Sequence, residues 1–392
     1  STSRTLNHRT SDGKPTPTLT AAEDELTGIA MGLADADRGV LQVVSDFEDA
    51  RAEFAMLRRI VEASRRPLSF SLLQSPLDRE GWQTLLNELE AATAAGLPMK
   101  AQVCGRPVGL LFGLELTLNP FSLHPTYREI ASLPLAERVA RLRDPEVRAR
   151  LLSEEPADTA WRRRLSAWDR YVPVAASPNY EPSPGDSIAA EAQRRGIPVE
   201  EAALDHMLSN EGRGMLYLPF LNYTDGSLAP AHAMLLHKDC ISGLSDGGAH
   251  VGMICDGSFP TSMLTHWTRD RTRGPKLSIE HVVKMQARDT AAALGLCDRG
   301  RIEVGFRADL NVIDYDKLFL HAPEVAYDLP AGGRRLMQRA DGYVATIVAG
   351  EITYRNGTPT GALPGRLVRG AQPAPTVSDR APSGAHMWKA RA

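Results

Sequence analysis

The chain has 392 residues, of which 43% are hydrophobic and 24% charged, and a formal net charge of −3. That composition is globular and rich enough in apolar residues for a large core, so wholesale disorder is excluded. Lys and Arg number 45 against 48 Asp and Glu, which excludes a whole-molecule pull toward nucleic acid or an anionic bilayer, and no apolar run reaches the ~18–20 residues that span a membrane. The cysteines, Cys104, Cys240, Cys255 and Cys297, are too scattered for a disulfide scaffold. They point to a reducing, cytoplasmic compartment.

The chain opens at Ser1 with no Met and no signal peptide, and reads as one entered in mid-fold. Ser1-Thr2-Ser3 has the character of a strand end, followed by a polar loop with His8. Thr20 and Glu23 make a T-x-x-E capping box for a helix running toward Asp37 and closed at Gly39. Residues 40–44 are a short buried strand. The next helix, 48–64, places Phe54, Leu57, Ile60 and Val61 on one face. Pro67 ends it, and 68–73 is a second strand. A third helix carries Trp82, Leu85, Leu86 and Leu89, stops at Gly96 and Pro98, and gives way to a strand over 99–104. Strands starting near 40, 68 and 99 give the length of a right-handed βα unit, hence a parallel sheet. An open doubly wound sheet and a closed eight-stranded barrel both use this repeat. No Gly-x-Gly-x-x-Gly or phosphate-loop lysine follows any strand, so a nucleotide site has no support.

The repeat then stops. Residues 120–215 hold a charged helical stretch (Glu137, Arg138, Arg141, Arg148, Arg150), a loop with Pro173, Pro178, Pro182 and Pro184, and a helix with Pro198 in its first turn and Glu200-Glu201 at its positive end. This is an insertion over one face of the core, and its charges read as a solvated helix face. Cys240 to Ser245 is a strand of small residues ending at Asp246. A helix from Ser278 to Leu294 turns Ile279, Val282, Val283, Ala287, Ala291 and Leu294 inward and stops at Gly295. Beyond it the pattern is β: 309–314, 344–348 and 352–354, with a turn at Gly350. The expected organisation is barrel βα units over 1–118, a helical insertion over 119–215, the last barrel strand with its helices over 216–298, a small β module over 299–365 and a disordered, basic tail over 366–392.

Working residues of parallel βα folds stand at the carboxyl ends of strands. Those positions hold Ser45-Asp46, Gln74, Gln102 with Cys104 and Arg106, and the run Ser245-Asp246-Gly247-Gly248-Ala249-His250. Asp246 is the most informative: a carboxylate with two glycines behind it can take a proton from water and return it to a leaving group. The same letters fit a cap on a turn, with His250 satisfied by backbone. Gly243-Leu244-Ser245-Asp246-Gly247 also spells the G-x-S-x-G nucleophile elbow, but that motif needs a helix immediately after its serine, and Gly247-Gly248 forms helix poorly. His232, His237 and His281 read as structural, and no C-x-x-C spacing supports a closed zinc site.

Leu244-Ser245-Asp246-Gly247-Gly248-Ala249-His250-Val251-Gly252-Met253 resembles the last barrel strand of the amidohydrolase superfamily. The run from Gly300 to Asp314, with Ile347-Val348-Ala349-Gly350 and Asn356-Gly357, resembles that family's accessory β module. Ser1 to Thr5 with His8, and Arg106-Pro107-Val108-Gly109-Leu110, resemble the amidohydrolase-3 branch, which contains the N-acyl-D-amino-acid deacylases (D-aminoacylases). The resemblance implies an incomplete (β/α)8 barrel of the TIM type, in α/β architecture with the helical insertion and β module above. It implies a divalent metal, zinc above all, whose bound water attacks an amide carbonyl. Asp246 would then be metal ligand and general base, later the acid that protonates the amine. Arg106, Arg4, His250 and Gln102 are the candidate substrate contacts, the arginines because guanidinium takes a carboxylate bidentately. Asp46 and Gln74 are further rim positions.

The family's His-x-His metal motif is absent from this chain, and the stretches matching its fifth and sixth strand ends, Val43 to Asp46 and Ser71 to Gln74, carry no histidine. The resemblance places the chain's start near the fourth strand, which leaves roughly 150–200 residues of βα units unaccounted for. The expectation is a metal-dependent hydrolase of non-peptide carbon–nitrogen bonds that acts on a small-molecule amide, with no nucleic-acid or membrane partner, the chain being inactive by itself. The alternative is a barrel that has lost its metal ligands and binds a small molecule or partner without catalysis.

Overall fold

A computed structural model describes residues 2–10, 12–156, 162–245 and 250–376. The first strand, β1 (Thr2–Arg4), is followed by α1 (Glu23–Asp35), β2 (Leu41–Ser45), α2 (Ala50–Ser64), β3 (Leu68–Leu72), α3 (Gly81–Ala94) and β4 (Met99–Cys104). Thr20 ends a short 3-10 turn and does not cap α1. Glu23, Asp24 and Glu25 in its first turn compensate the helix dipole instead. Asp49 caps α2 by accepting from Ala52 N–H.

After β4 the chain turns back as β5 (Val108–Gly113). Helices α4 (Pro125–Ile130), α5 (Leu135–Arg143), α6 (Pro145–Ser153) and α7 (Arg162–Leu165) follow, then β6 (Val172–Pro173), α8 (Ile188–Arg195), α9 (Val199–Gly212) and β7 (Met215–Leu221). Helix α10 (Ala229–Leu236) leads to β8 (Cys240–Gly243), and α11 (Phe259–Thr265) continues as a π-turn over His266–Asp270. The main sheet is parallel in the order β1-β2-β3-β4-β8. Strand order follows chain order without the reversal of a doubly wound sheet, so this is an arc of β/α barrel wall, open at β1 and β8. Val43, Phe70, Ala101 and Cys240 lie side by side and pack in one core with Phe54, Leu57, Leu85 and Leu89 of the helices.

The charged stretch is helical as expected, but it is framed by a sheet the sequence did not announce. β5 and β7 pair antiparallel, β6 adds to β7, and the helices between them bury a second core around Phe112, Phe121, Tyr171 and Leu204. The expected single helix over 278–294 is divided into α12 (Ile279–Lys284), a π-turn over Met285–Asp289 and α13 (Thr290–Ala293). The wide turn shifts the helical phase. Val282 is buried, whereas Ile279, Val283 and Leu294 stay exposed. The β region holds β9 (Leu310–Ile313), β10 (Phe319–Leu320), β11 (Glu324–Leu329), β12 (Gly333–Met337), β13 (Ala340–Asp341), β14 (Tyr343–Val348), β15 (Glu351–Arg355) and β16 (Thr358–Pro359). β9, β14, β15 and β16 form one antiparallel sheet. Of the expected disordered tail, residues 377–392 lie outside the described residues, and Gln372 bridges to Leu296. No helix among the described residues is long and apolar enough to cross a membrane.

Candidate functional site

Strand register decides which side chains face the carboxyl-end mouth. In a parallel ladder, neighbours in register point the same way and alternate residues point oppositely. Val43, Phe70 and Ala101 face the helices, so Gln42, Ser69, Ser71, Lys100 and Gln102 face the concave side. Gln102 stands there, donating Nε2–H to Ser69 Oγ at 2.9 Å. Gly243 beside it has no room for a Cβ, which would sit 2.9 Å from Gln102 Cβ. The Ser71 hydroxyl is buried with no hydrogen-bond partner among the described residues.

Arg4 shares the parity of Thr2, whose neighbour is Val43, and therefore faces the helices. Its guanidinium lies 3.3 Å from Glu53 of α2, to which Ser45 also donates. The alternation of β1 thus takes Arg4 away from any substrate at the mouth. Asp46 accepts from Thr5 Oγ1 and from Leu6 N–H (2.8 Å), closing the loop after β1. Gln74 is engaged by the segment after β7. Its side chain donates to Asp225 at 2.7 Å and accepts from Thr224 N–H, its backbone N–H donates to Asn222 Oδ1 at 2.7 Å, and its carbonyl accepts from Asn222 N–H at 3.0 Å. Asn222, fully buried at φ +59, also reaches the Cys104 carbonyl. It ties the ends of β3 and β4 together. The sequence offered only one hint of this, an Asn closing an apolar run.

Arg106 is 3% exposed. It donates to Ser258 Oγ (2.9 Å) and the Cys255 carbonyl (2.6 Å), lies 3.3 Å from Asp256, and stacks on the rings of Tyr180 and Phe259. The polar contacts come from residues 255–258 just before α11, and they leave the guanidinium bound to protein where a substrate carboxylate was expected. Ser245 Oγ donates to the Asp256 carbonyl at 3.1 Å, and among the described residues the next helix begins at Phe259; the residues directly after Ser245, where a nucleophile elbow needs its helix, lie outside the described residues. Asp246, the expected base and metal ligand, lies outside the described residues with 247–249. His250 is exposed at φ +53, and its carbonyl accepts from Met253 and Ile254 N–H. His281 and His237 make backbone hydrogen bonds, while His232 stacks on Trp267. Burial pushes the Cys240 thiol up to about 12 and Cys255 to about 11, so neither supplies a thiolate near neutrality.

No three His, Cys, Asp or Glu side chains converge to hold a metal ion among the described residues. Asp46 and Gln74 are engaged as above, and Glu53 is turned into the helix layer. These residues do not fit the expected zinc centre.

A cleft of about 280 Å³ opens elsewhere, lined by Tyr180, Glu181, His266, Arg269 and Arg273 beside β10. Burial alone would raise the pKa of Glu181. Hydrogen bonds from His266 (3.1 Å), Arg271 (2.9 and 3.0 Å) and Leu228 N–H reverse this and hold it at about 2. The pair is separated by 90 positions in sequence, so spacing gave no sign of it.

A family model described as "Amidohydrolase family" matches residues 1–354. A 5-methylthioadenosine/S-adenosylhomocysteine deaminase of Haloarcula marismortui is 30% identical over 199 residues, covering 47% of this chain and 41% of the relative. Among solved structures, a D-aminoacylase is similar with 18% identity and a TM-score of 0.46, over 89% of this chain and 59% of that one. A D-hydantoinase is similar with 11% identity and a TM-score of 0.33, over 90% and 63%. The chain thus spans less than two thirds of the length of each.

Proposed function

The chain belongs to the amidohydrolase family, and from that premise we propose that the protein hydrolyses a non-peptide carbon–nitrogen bond, the amide of an N-acyl-D-amino acid. In this reading Asp246 takes a proton from water as its oxygen attacks the acyl carbon. It returns that proton to the nitrogen as the carbon–nitrogen bond breaks, releasing a carboxylic acid and an amine. Gln102 on the concave face and the exposed His250 are the substrate contacts retained from the sequence. The observation that carries the reading is the register of β8. Gly243 lies beside Cys104 of β4, which brings the chain to the carboxyl end of the sheet two positions before Ser245. The family match runs through this segment, and the archaeal relative, a deaminase by name, belongs to the same broad class of carbon–nitrogen chemistry.

The test is turnover of a panel of N-acyl-D- and N-acyl-L-amino acids by the full natural polypeptide and its Asp246→Asn variant. The expected result is turnover by the natural protein and a loss of at least a hundredfold in kcat in the variant, with the thermal midpoint unchanged. Undiminished turnover in Asp246→Asn overturns the role of the carboxylate. Binding of these amides without turnover by the natural protein makes the barrel a binding module.

A further inference from the structure

Helix α11 and the π-turn that continues it have two faces. Met263, Leu264 and Trp267 enter the main core, while Ser262, Thr265, His266 and Arg269, at the intervening helical positions, line the cleft of about 280 Å³. The cleft therefore lies outside the β/α wall, and none of Asp46, Gln74, Gln102 and Ser245 lines it. Its charged lining is two arginines and two carboxylates, Arg269, Arg273, Glu181 and Asp270. Glu181 is engaged by Arg271 and His266, and Asp270 accepts from Arg269 at 2.7 and 3.0 Å. Arg273 is different. It donates only to neutral groups, the carbonyls of Glu181, Pro182 and Gly226 and the Tyr223 hydroxyl. Among the described residues it has no ion-pair partner, and its Nε–H makes no hydrogen bond. The Asn179 Oδ1 accepts from Glu181 N–H at 2.9 Å, which leaves the amide Nδ2–H donors over. His266 offers the converse. An ionised carboxylate only accepts, so Glu181 puts the proton of the neutral imidazole on Nε2 and leaves Nδ1 an acceptor without a partner among the described residues. Phe319, 38% exposed, and Leu320 add an apolar wall.

We propose that this cleft is a second small-molecule site, separate from the mouth of the sheet, and that its ligand is a free amino acid with an apolar side chain. The ligand carboxylate meets Arg273 and the Asn179 amide, its ammonium donates to His266 Nδ1 and Asp270, and its side chain lies against Phe319 and Leu320. Each charged end of the ligand then answers a group that the fold leaves over. A simple anion would leave His266 Nδ1 without a donor, and a simple amine would leave Arg273 without a counter-charge. The volume falls at the lower end of ligand pockets, which run from about 300 to 1,000 Å³, and so suits a molecule of amino-acid size. The site goes beyond the hydrolase reading and does not depend on it.

Two measurements on the full natural polypeptide test it. The first is equilibrium dialysis with L-leucine and D-leucine, and with acetate and leucinamide, which carry the two charged ends separately. The better leucine enantiomer is expected to bind at least about tenfold more tightly than acetate or leucinamide. Arg273→Gln is expected to weaken it about tenfold or more, and Phe319→Ser, a change at the surface that spares the fold, about threefold or more. The second is amide hydrogen exchange followed by mass spectrometry. Leucine is expected to slow exchange over 177–182 and 262–273 and to leave the strands over 41–46 and 99–104 unchanged. No binding at about 10 mM leucine, equal affinity for acetate or leucinamide, protection confined to the strands over 41–46 and 99–104, or undiminished binding in both variants each overturn the proposal. A natural protein that binds leucine in this way and turns over no amide upholds the site and strikes the hydrolase reading alone.

Discussion

The parallel sheet and the antiparallel sheet of β9, β14, β15 and β16 are held together in different ways. In the parallel sheet Val43, Phe70, Leu72, Ala101 and Val103 are wholly excluded from water, covered by α1 to α3. In the antiparallel sheet Val312 is 47% exposed, Tyr354 is 47% and Val344 38%, and only Ala345 is buried. Its order comes instead from ladder hydrogen bonds and polar links, such as Asp309 with Arg299 and Arg307 at its edge and Thr346 with Asn311 across it. It is fastened to the main body at few places, among them Tyr343 with Thr261. The parallel sheet is therefore the rigid platform for the strand ends. The antiparallel sheet is the part from which local opening starts at low free energy, because few apolar contacts resist it.

The largest effect that would sharpen this contrast is Phe70→Ala. Phe70 packs edge-on against Phe47 and Phe54 with ring centres 5.6 and 5.7 Å away. Its truncation is expected to remove about 3–5 kcal/mol, read as a fall in the denaturation midpoint. A loss below about 1 kcal/mol would break the comparison. Next comes the ion pair that braces the cleft wall beside the β region. Glu181 ionises at about 2 in the folded chain, against an ordinary 4.5. A depressed carboxylate contributes stability in full above 4.5 and loses it as pH falls toward 2. The size of that contribution is about 3 kcal/mol. Glu181→Gln leaves Arg271 buried without its counter-charge and is expected to cost about 3–5 kcal/mol at pH 7. The loss should shrink in acid as the natural side chain is itself protonated. Stability curves of the two proteins that run parallel from pH 7 to pH 3 would remove Glu181 from this role.

The same contrast explains what could be read from the chain beforehand. β2, β3 and β4 announce themselves because each is a short apolar or small-residue run between local breakers, Gly39, Pro67, and Gly96 with Pro98. β5 and β7 do not, because their partnership joins segments about a hundred residues apart, and neither run alternates in a way that names its partner. Site residues follow the same rule. Gln102 lies on a strand whose ends and parity were legible. Arg4 sits on a three-residue strand whose facing could be settled only by its register with β2. The fate of Arg106 was decided by Asp256 and Ser258, some 150 positions later. The inward stripe expected over 279–294 failed in part for a local reason, since a π-turn over 285–289 shifts the phase of the positions beyond it, such as Leu294, while Ile279 and Val283 ahead of it are exposed on α12 itself.

The smallest effect is also the cleanest comparison, because one substitution can be made in both sheets. Val→Thr keeps the β-branched shape and replaces a methyl with a hydroxyl, so strand propensity barely moves. At Val312, with 47% of its surface in water, the hydroxyl stays solvated and the change is expected to fall within about 0.5 kcal/mol. At Val43, 0% exposed and packed in the main core, the hydroxyl enters an apolar layer and is expected to cost about 1–3 kcal/mol. Chemical denaturation of the two variants beside the natural protein gives both numbers from one experiment. Equal losses at the two sites would mean that the antiparallel sheet is as dry as the parallel one, and the division of labour between them would fall.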